Sequence, residues 1–123
     1  MARLYGAAMD RVVPTVLLGG VIGSVMRWAV GEIGWSDGVT LLVVNTAASA
    51  LLGIVIALVA DREHPVRLAL GVGLCGGLST FSGLALALAQ RLDRGDPLDA
   101  FVLAAASLGL GLAAFLGGRE LAR

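Results

Sequence analysis

The chain of 123 residues contains no lysine; its nine cations are all arginine. Only 15% of residues are charged, whereas a soluble domain carries about a quarter. Nine acids balance the nine arginines. No basic face therefore invites nucleic acid, and no acidic tail invites a basic partner. A single cysteine, Cys75, excludes an intrachain disulfide and any Cys-x-x-Cys metal or redox pair. A single histidine, His64, argues against a histidine metal cage and a Ser-His-Asp triad. With no nucleophile–base pair or metal set left, the chain does not read as an enzyme. No cleavable signal peptide stands out, because the first apolar run is too long and more spans follow.

Apolar sequence fills the space that charge leaves: 58% of residues are hydrophobic. A helix needs roughly 20 apolar residues to cross about 30 Å of hydrocarbon. Four stretches meet that length, at about 12–31, 39–60, 66–90 and 98–118. The short connections "EIGWSD", "DREHP" and "RLDRGDP" hold most of the charge. In lipid every backbone N–H and C=O must be paired within the protein, so the spans should be helices. The prediction is an all-α, multi-pass cell-membrane protein, with residues 1–123 forming one four-helix domain. Pro65 and Pro97 fall where helices should begin, and Pro14 is expected in a first turn. Glycine pairs at four-residue spacing, Gly19 with Gly23 and Gly73 with Gly77, together with Gly109 and Ala113, suit close helix packing. That packing can lie within the chain or between subunits. Four helices of this length enclose no wide aqueous path, so a transporter built from them should oligomerise.

Polar groups inside spans are rare and usually functional. Arg27, near the end of the first span, either snorkels to the headgroups or faces a polar vestibule and positions an anion. Asn45, inside the second span, either bonds a neighbouring helix or lines a polar track. The run "CGGLSTFSG" at residues 75–83 should interrupt the third helix at mid-membrane and expose carbonyls there; a glycine-kinked helix is the other reading. Ser107 is a lone hydroxyl in the fourth span. No Asp or Glu lies in any span core, which argues against a proton-coupled pump or a cation exporter and favours a small anion or a neutral solute.

Three motifs carry a resemblance. "GGVIGSVMRW" (residues 19–28), "LLVVNTAASALLG" (41–53) and "GLCGGLSTFSGL" (73–84) resemble, in order and spacing, the conserved helices of the Fluc/CrcB fluoride channels. "SLGLGLAAFLG" (107–117) fits that family's less distinctive last helix. The resemblance implies an antiparallel dimer of oppositely oriented chains, two copies or two homologous partners. Two narrow fluoride pathways would run along the subunit interface. It also implies a structural sodium ion held by backbone carbonyls, here those of Gly76 and Ser79, at the breaks of both third helices. The pore asparagine is then Asn45, the first-helix arginine Arg27, the pore serine Ser107 and the first pore phenylalanine Phe81. Leu84 stands where the family has its second phenylalanine, so a homodimer would lack one ring in each pore.

The chemistry suits that implication. Fluoride is small and strongly hydrated, so a dry pore must replace its water with donors, which Asn45, Ser82 and Ser107 can supply. The positive edge of Phe81 would favour an anion. The expected function is passive fluoride efflux that lowers cytoplasmic fluoride. The alternatives are a non-conducting structural partner of a heterodimer, or a small multidrug-type exporter, which would need a membrane-embedded glutamate. Arg3, Arg11, Arg62, Arg67, Arg119 and Arg123 fall on one side of the four spans, and Arg91 and Arg94, plus Arg27 if it snorkels, on the other. Arginine excess marks the cytoplasmic side, so both termini are expected inside.

Overall fold

The computed structural model describes the backbone of residues 2–123 and the side chains of Asp10 and residues 12–123. Arg3 and Arg11, two of the cations in the orientation count, have side chains outside the described residues. Every regular element is helical: α1 (Ala2–Gly31), α2 (Asp37–Leu58), α3 (residues 65–78), α4 (Phe81–Asp93) and α5 (Pro97–Leu121). Four segments are long and apolar enough to cross a membrane: Val12–Gly31, Asp37–Leu58, Pro65–Asp93 and Pro97–Leu121. The third contains both α3 and α4, so it is one span in two pieces.

The ends of the spans follow local chemistry. Pro65 and Pro97 open α3 and α5, where a missing N–H costs nothing. The one histidine caps α3: His64 Nδ1 accepts the Val66 N–H at 3.2 Å. Asp96 caps α5 by accepting the Asp99 N–H at 3.2 Å. Pro14 departs from expectation. The helix begins at Ala2, well before the apolar run, so this proline sits inside α1 and not in its first turn.

Helices of the same direction pair through bare backbone. A Cβ on Gly19 would overlap the Ala69 carbonyl, and one on Gly23 the Leu74 carbonyl. Reciprocally, Gly73 faces the Val16 carbonyl and Gly77 the Gly20 carbonyl. The paired glycines of the first and third spans therefore pack α1 against α3 within one chain. In the second parallel pair, α2 and α5, Gly53 lies on the Phe115 carbonyl and Gly118 on the Ala50 carbonyl. Gly109 has nothing within 4 Å, so the Gly109–Ala113 pair takes no part in this packing.

Two small buried clusters sit between the pairs. One joins Leu41, Leu84, Ala87 and Leu103; the other joins Val44, Ala48, Cys75 and Leu78. At the connection between α4 and α5, Arg91 pairs with Asp99 at 2.6 Å. Its guanidinium also lies over Gly38 at the start of α2, where a Cβ would come within 2.8 Å.

The third span has two irregularities. From Leu68 to Cys75 it is a π-helix, a wide form that is rare and frequently found at functional sites. The break itself falls at Ser79 (φ −76°, ψ 156°) and Thr80 (φ −149°, ψ 110°), both extended. Gly76 and Gly77 remain helical. The interruption thus lies in the middle of the expected stretch, on hydroxyl residues whose extended backbone needs no glycine.

Candidate functional site at the helix break

An extended pair of residues at mid-membrane leaves peptide groups that water cannot satisfy. Side chains from the two preceding helices do so. Asn45 of α2 accepts the Thr80 N–H on Oδ1 at 2.7 Å and donates from Nδ2 to the Thr80 carbonyl at 3.4 Å. One side-chain amide therefore grips both polar groups of one residue, as a neighbouring strand would. Ser49, one turn on, donates to the Asn45 carbonyl at 2.8 Å. From α1, Arg27 donates through a terminal guanidinium nitrogen to the Ser79 carbonyl at 3.0 Å. Arg27 is only half-exposed; it reaches inward to the break.

Thr80 is the hub of the site. Besides the Asn45 contacts, its Oγ1 accepts the Gly83 N–H at 3.0 Å and so caps α4. The same hydroxyl lies 3.3 Å from Ser82 Oγ. Thr80 lies within the motif at residues 73–84 but is not among the site residues expected from the sequence. The available signal was a threonine three residues before Gly83, at the start of an amphipathic stretch, the pattern of an N-cap.

The remaining candidates divide by position. Phe81 is 82% exposed and Ser82 is exposed, both projecting from the first turn of α4 away from their own chain. Ser107 lies on α5. In the parallel α2–α5 pair, Gly53 faces Phe115 and Gly111 faces Ser49; the same offset sets Ser107 level with Asn45. Its Oγ is buried and makes no hydrogen bond, whereas most membrane serines bond to their own helix. Arg27, Asn45, Ser79 and Thr80 are thus joined directly, while Ser107 shares their depth without a contact. Leu84, in the position of the missing second ring, is buried against Leu41, Ala87 and Leu103.

The carbonyls differ in what they can still accept. The amide that would close onto Gly76 in a continuing helix belongs to Thr80, and it is donated to Asn45. Gly76 also has open space beside it. The Ser79 carbonyl already receives the Arg27 guanidinium, which leaves one lone pair. Neutral oxygens of this kind suit a hard monovalent cation, Gly76 more fully than Ser79. No cluster of three or more His, Cys, Asp or Glu occurs among the described residues.

The site is therefore a set of neutral donors and one guanidinium around a broken helix, with an aromatic ring on its open side. The family model described as "CrcB-like protein, Camphor Resistance (CrcB)" matches residues 14–119, which include all of these groups. A protein of Symbiobacterium thermophilum named fluoride-specific ion channel FluC 1 is 43% identical over 116 residues, covering 83% of this chain and 92% of its own. FluC 2 of Synechococcus sp. (strain CC9902) is 38% identical over 99 residues, 80% of this chain and 70% of its own. FluC of Rhizobium etli is 34% identical over 116 residues, 88% and 93% respectively. A match of this extent, running through every motif that builds the break, establishes that the chain belongs to the CrcB-like protein family.

Proposed function

We propose that this chain is a subunit of a fluoride channel that lets the anion leave the cell passively. The observation that carries the reading is the buried, unbonded Ser107 hydroxyl at the level of Asn45. A hydroxyl without a partner at mid-membrane is costly, and a small anion accepting its hydrogen would satisfy it. Nδ2 of Asn45 has a second N–H to offer, since one hydrogen serves the Thr80 carbonyl. The Ser82 hydroxyl and the Phe81 ring edge lie on the open side of the same break. Small uncharged donors bind weakly enough to release the ion, which conduction requires. The three relatives' names and the lack of a carboxylate in any span core favour this reading over an exporter.

The channel is proposed to be a dimer of oppositely oriented chains, a second copy or a homologous partner. An extended backbone and an exposed Ser82 at mid-membrane call for a protein cover, because lipid supplies no hydrogen bonds. Sodium is proposed between the two breaks, held by the Gly76 carbonyl and the free lone pair of Ser79. Arg27 beside it would supply part of the same positive charge from the chain itself.

The test is fluoride efflux from liposomes holding the purified protein, with chloride as control. Release of fluoride well above that of empty vesicles, with chloride retained, is expected. Efflux no faster than from empty vesicles, alone or with a co-expressed second family member, would sink the proposal.

A further inference from the structure

The end of the bundle that carries the α2–α3 connection holds chemistry that the break does not use. Arg67 donates through one guanidinium nitrogen to the Val59 and Ala60 carbonyls, 3.0 Å in each case. Those bonds tie off the C-terminus of α2 and fix the guanidinium in place. Its Nε–H and its other terminal nitrogen have no acceptor among the described residues. Arg62 is exposed and likewise has no acceptor among the described residues. The acids of the same connection do not neutralise the pair directly. Asp61 accepts the Glu63 N–H at 3.0 Å, and neither acid forms an ion pair with Arg62 or Arg67.

Beneath the two arginines lies a groove of about 420 Å³. Leu52 and Ile56 of α2 form one wall, and Gly71 and Val72 of α3 the other. Leu52 is six residues before the end of α2, so the groove reaches about 9 Å into the span at 1.5 Å per residue. That depth passes the headgroups and enters hydrocarbon. An inorganic anion would gain nothing from the apolar walls, and a zwitterionic lipid such as phosphatidylcholine would bring its own choline cation beside the two guanidinium groups. A phosphate with an acyl chain attached uses both, and arginine matches phosphate oxygens with two parallel N–H groups. Arginine excess at this end of the chain adds long-range attraction for an anionic surface.

We propose that this groove seats one anionic phospholipid, its phosphate on Arg62 and Arg67 and one acyl chain between α2 and α3. The groove shares Leu52 and Gly71 with the pocket beside the break, but its two arginines make no contact with the break, and the site does not depend on what the channel conducts.

The test uses the purified full-length protein in detergent, titrated with phosphatidylglycerol or phosphatidylcholine and read by native mass spectrometry. Retained phosphatidylglycerol adducts are expected, with phosphatidylcholine lost under the same conditions. Arg62→Gln should weaken retention about fivefold, in line with roughly 1 kcal/mol per cation at a membrane surface. Val72→Trp, which fills the groove from an exposed position and leaves both arginines, should weaken it as well. Arg94→Gln at the opposite end should change nothing. Thermal unfolding of each variant shows that it is folded; Arg67 is left intact because it caps α2. Equal retention of the two lipids, or unchanged retention in Arg62→Gln, would overturn the proposal. Loss in Arg62→Gln with full retention in Val72→Trp would also overturn it, because the mouth would then be a site for free anions.

Discussion

Asn45 and Phe81 occupy opposite situations, and their substitutions should separate accordingly. The Asn45 amide holds the N–H and C=O of Thr80. Asn45→Ala leaves both without a partner in a water-poor layer, where each unpaired group costs about 1–3 kcal/mol. The expected outcome is a lower unfolding temperature in detergent together with loss of fluoride flux. Phe81 is 82% exposed on its own chain, so Phe81→Ile should leave the isolated subunit's stability almost unchanged. Flux should fall about tenfold, because an aliphatic side chain has no positive edge and aromatic contacts are worth roughly a kcal/mol. Efflux and thermal unfolding measured on the same preparations decide this; a Phe81→Ile protein with normal flux would remove the ring from the pathway.

At the scale of elements, packing rests on which glycines face backbone. Gly23 and Gly77 meet carbonyls of the facing helix, so any side chain there must push α1 and α3 apart. Gly23→Val should abolish the folded species on size-exclusion chromatography. Gly117 has nothing within 4 Å, and Gly117→Ala should be neutral in the monomer or slightly favourable by helix propensity. Leu84 belongs to the same scale. It is buried between α2, α4 and α5, so Leu84→Phe should overfill that cluster and cost about 1–3 kcal/mol. Denaturation in detergent checks this directly. An unchanged midpoint would show that the ring can turn out toward a partner, the arrangement that a second pore phenylalanine requires.

At the scale of the molecule, orientation follows charge. Among the described side chains, Arg62, Arg67, Arg119 and Arg123 lie in or beside the connections of one end, and Arg91 and Arg94 at the other. Arg27 is turned inward to Ser79 and drops out of the count as a surface cation. The positive-inside rule then predicts a C-terminus in the cytoplasm. A C-terminal topology reporter should give a signal from that side in large excess. Equal signal from both orientations would favour a dual-topology homodimer over a pair of specialised chains.

The four spans could be read from the sequence, because spanning lipid requires length and hydropathy, and both are properties of contiguous residues. The glycine pairs were equally visible, since four-residue spacing places them on one helix face. The sequence could not say that Gly73 and Gly77 meet α1 of the same chain while Gly109 meets nothing, because a partner is a matter of which helices come together. The interruption of the third span and its place within "CGGLSTFSG" were foreseeable, yet which residues of that run would leave the helix was not. Glycine allows a helix to end but does not compel it. Ser79 and Thr80 are extended because Asn45 and Arg27, from two other helices, satisfy their peptide groups. Ser107 shows the same division. Its place in an apolar span was plain, but its depth beside Asn45 and its lack of a hydrogen bond arise from the parallel packing of α2 on α5. Local composition determined that this chain enters a membrane as four helices; contacts between residues far apart in the chain decided where its polar groups converge.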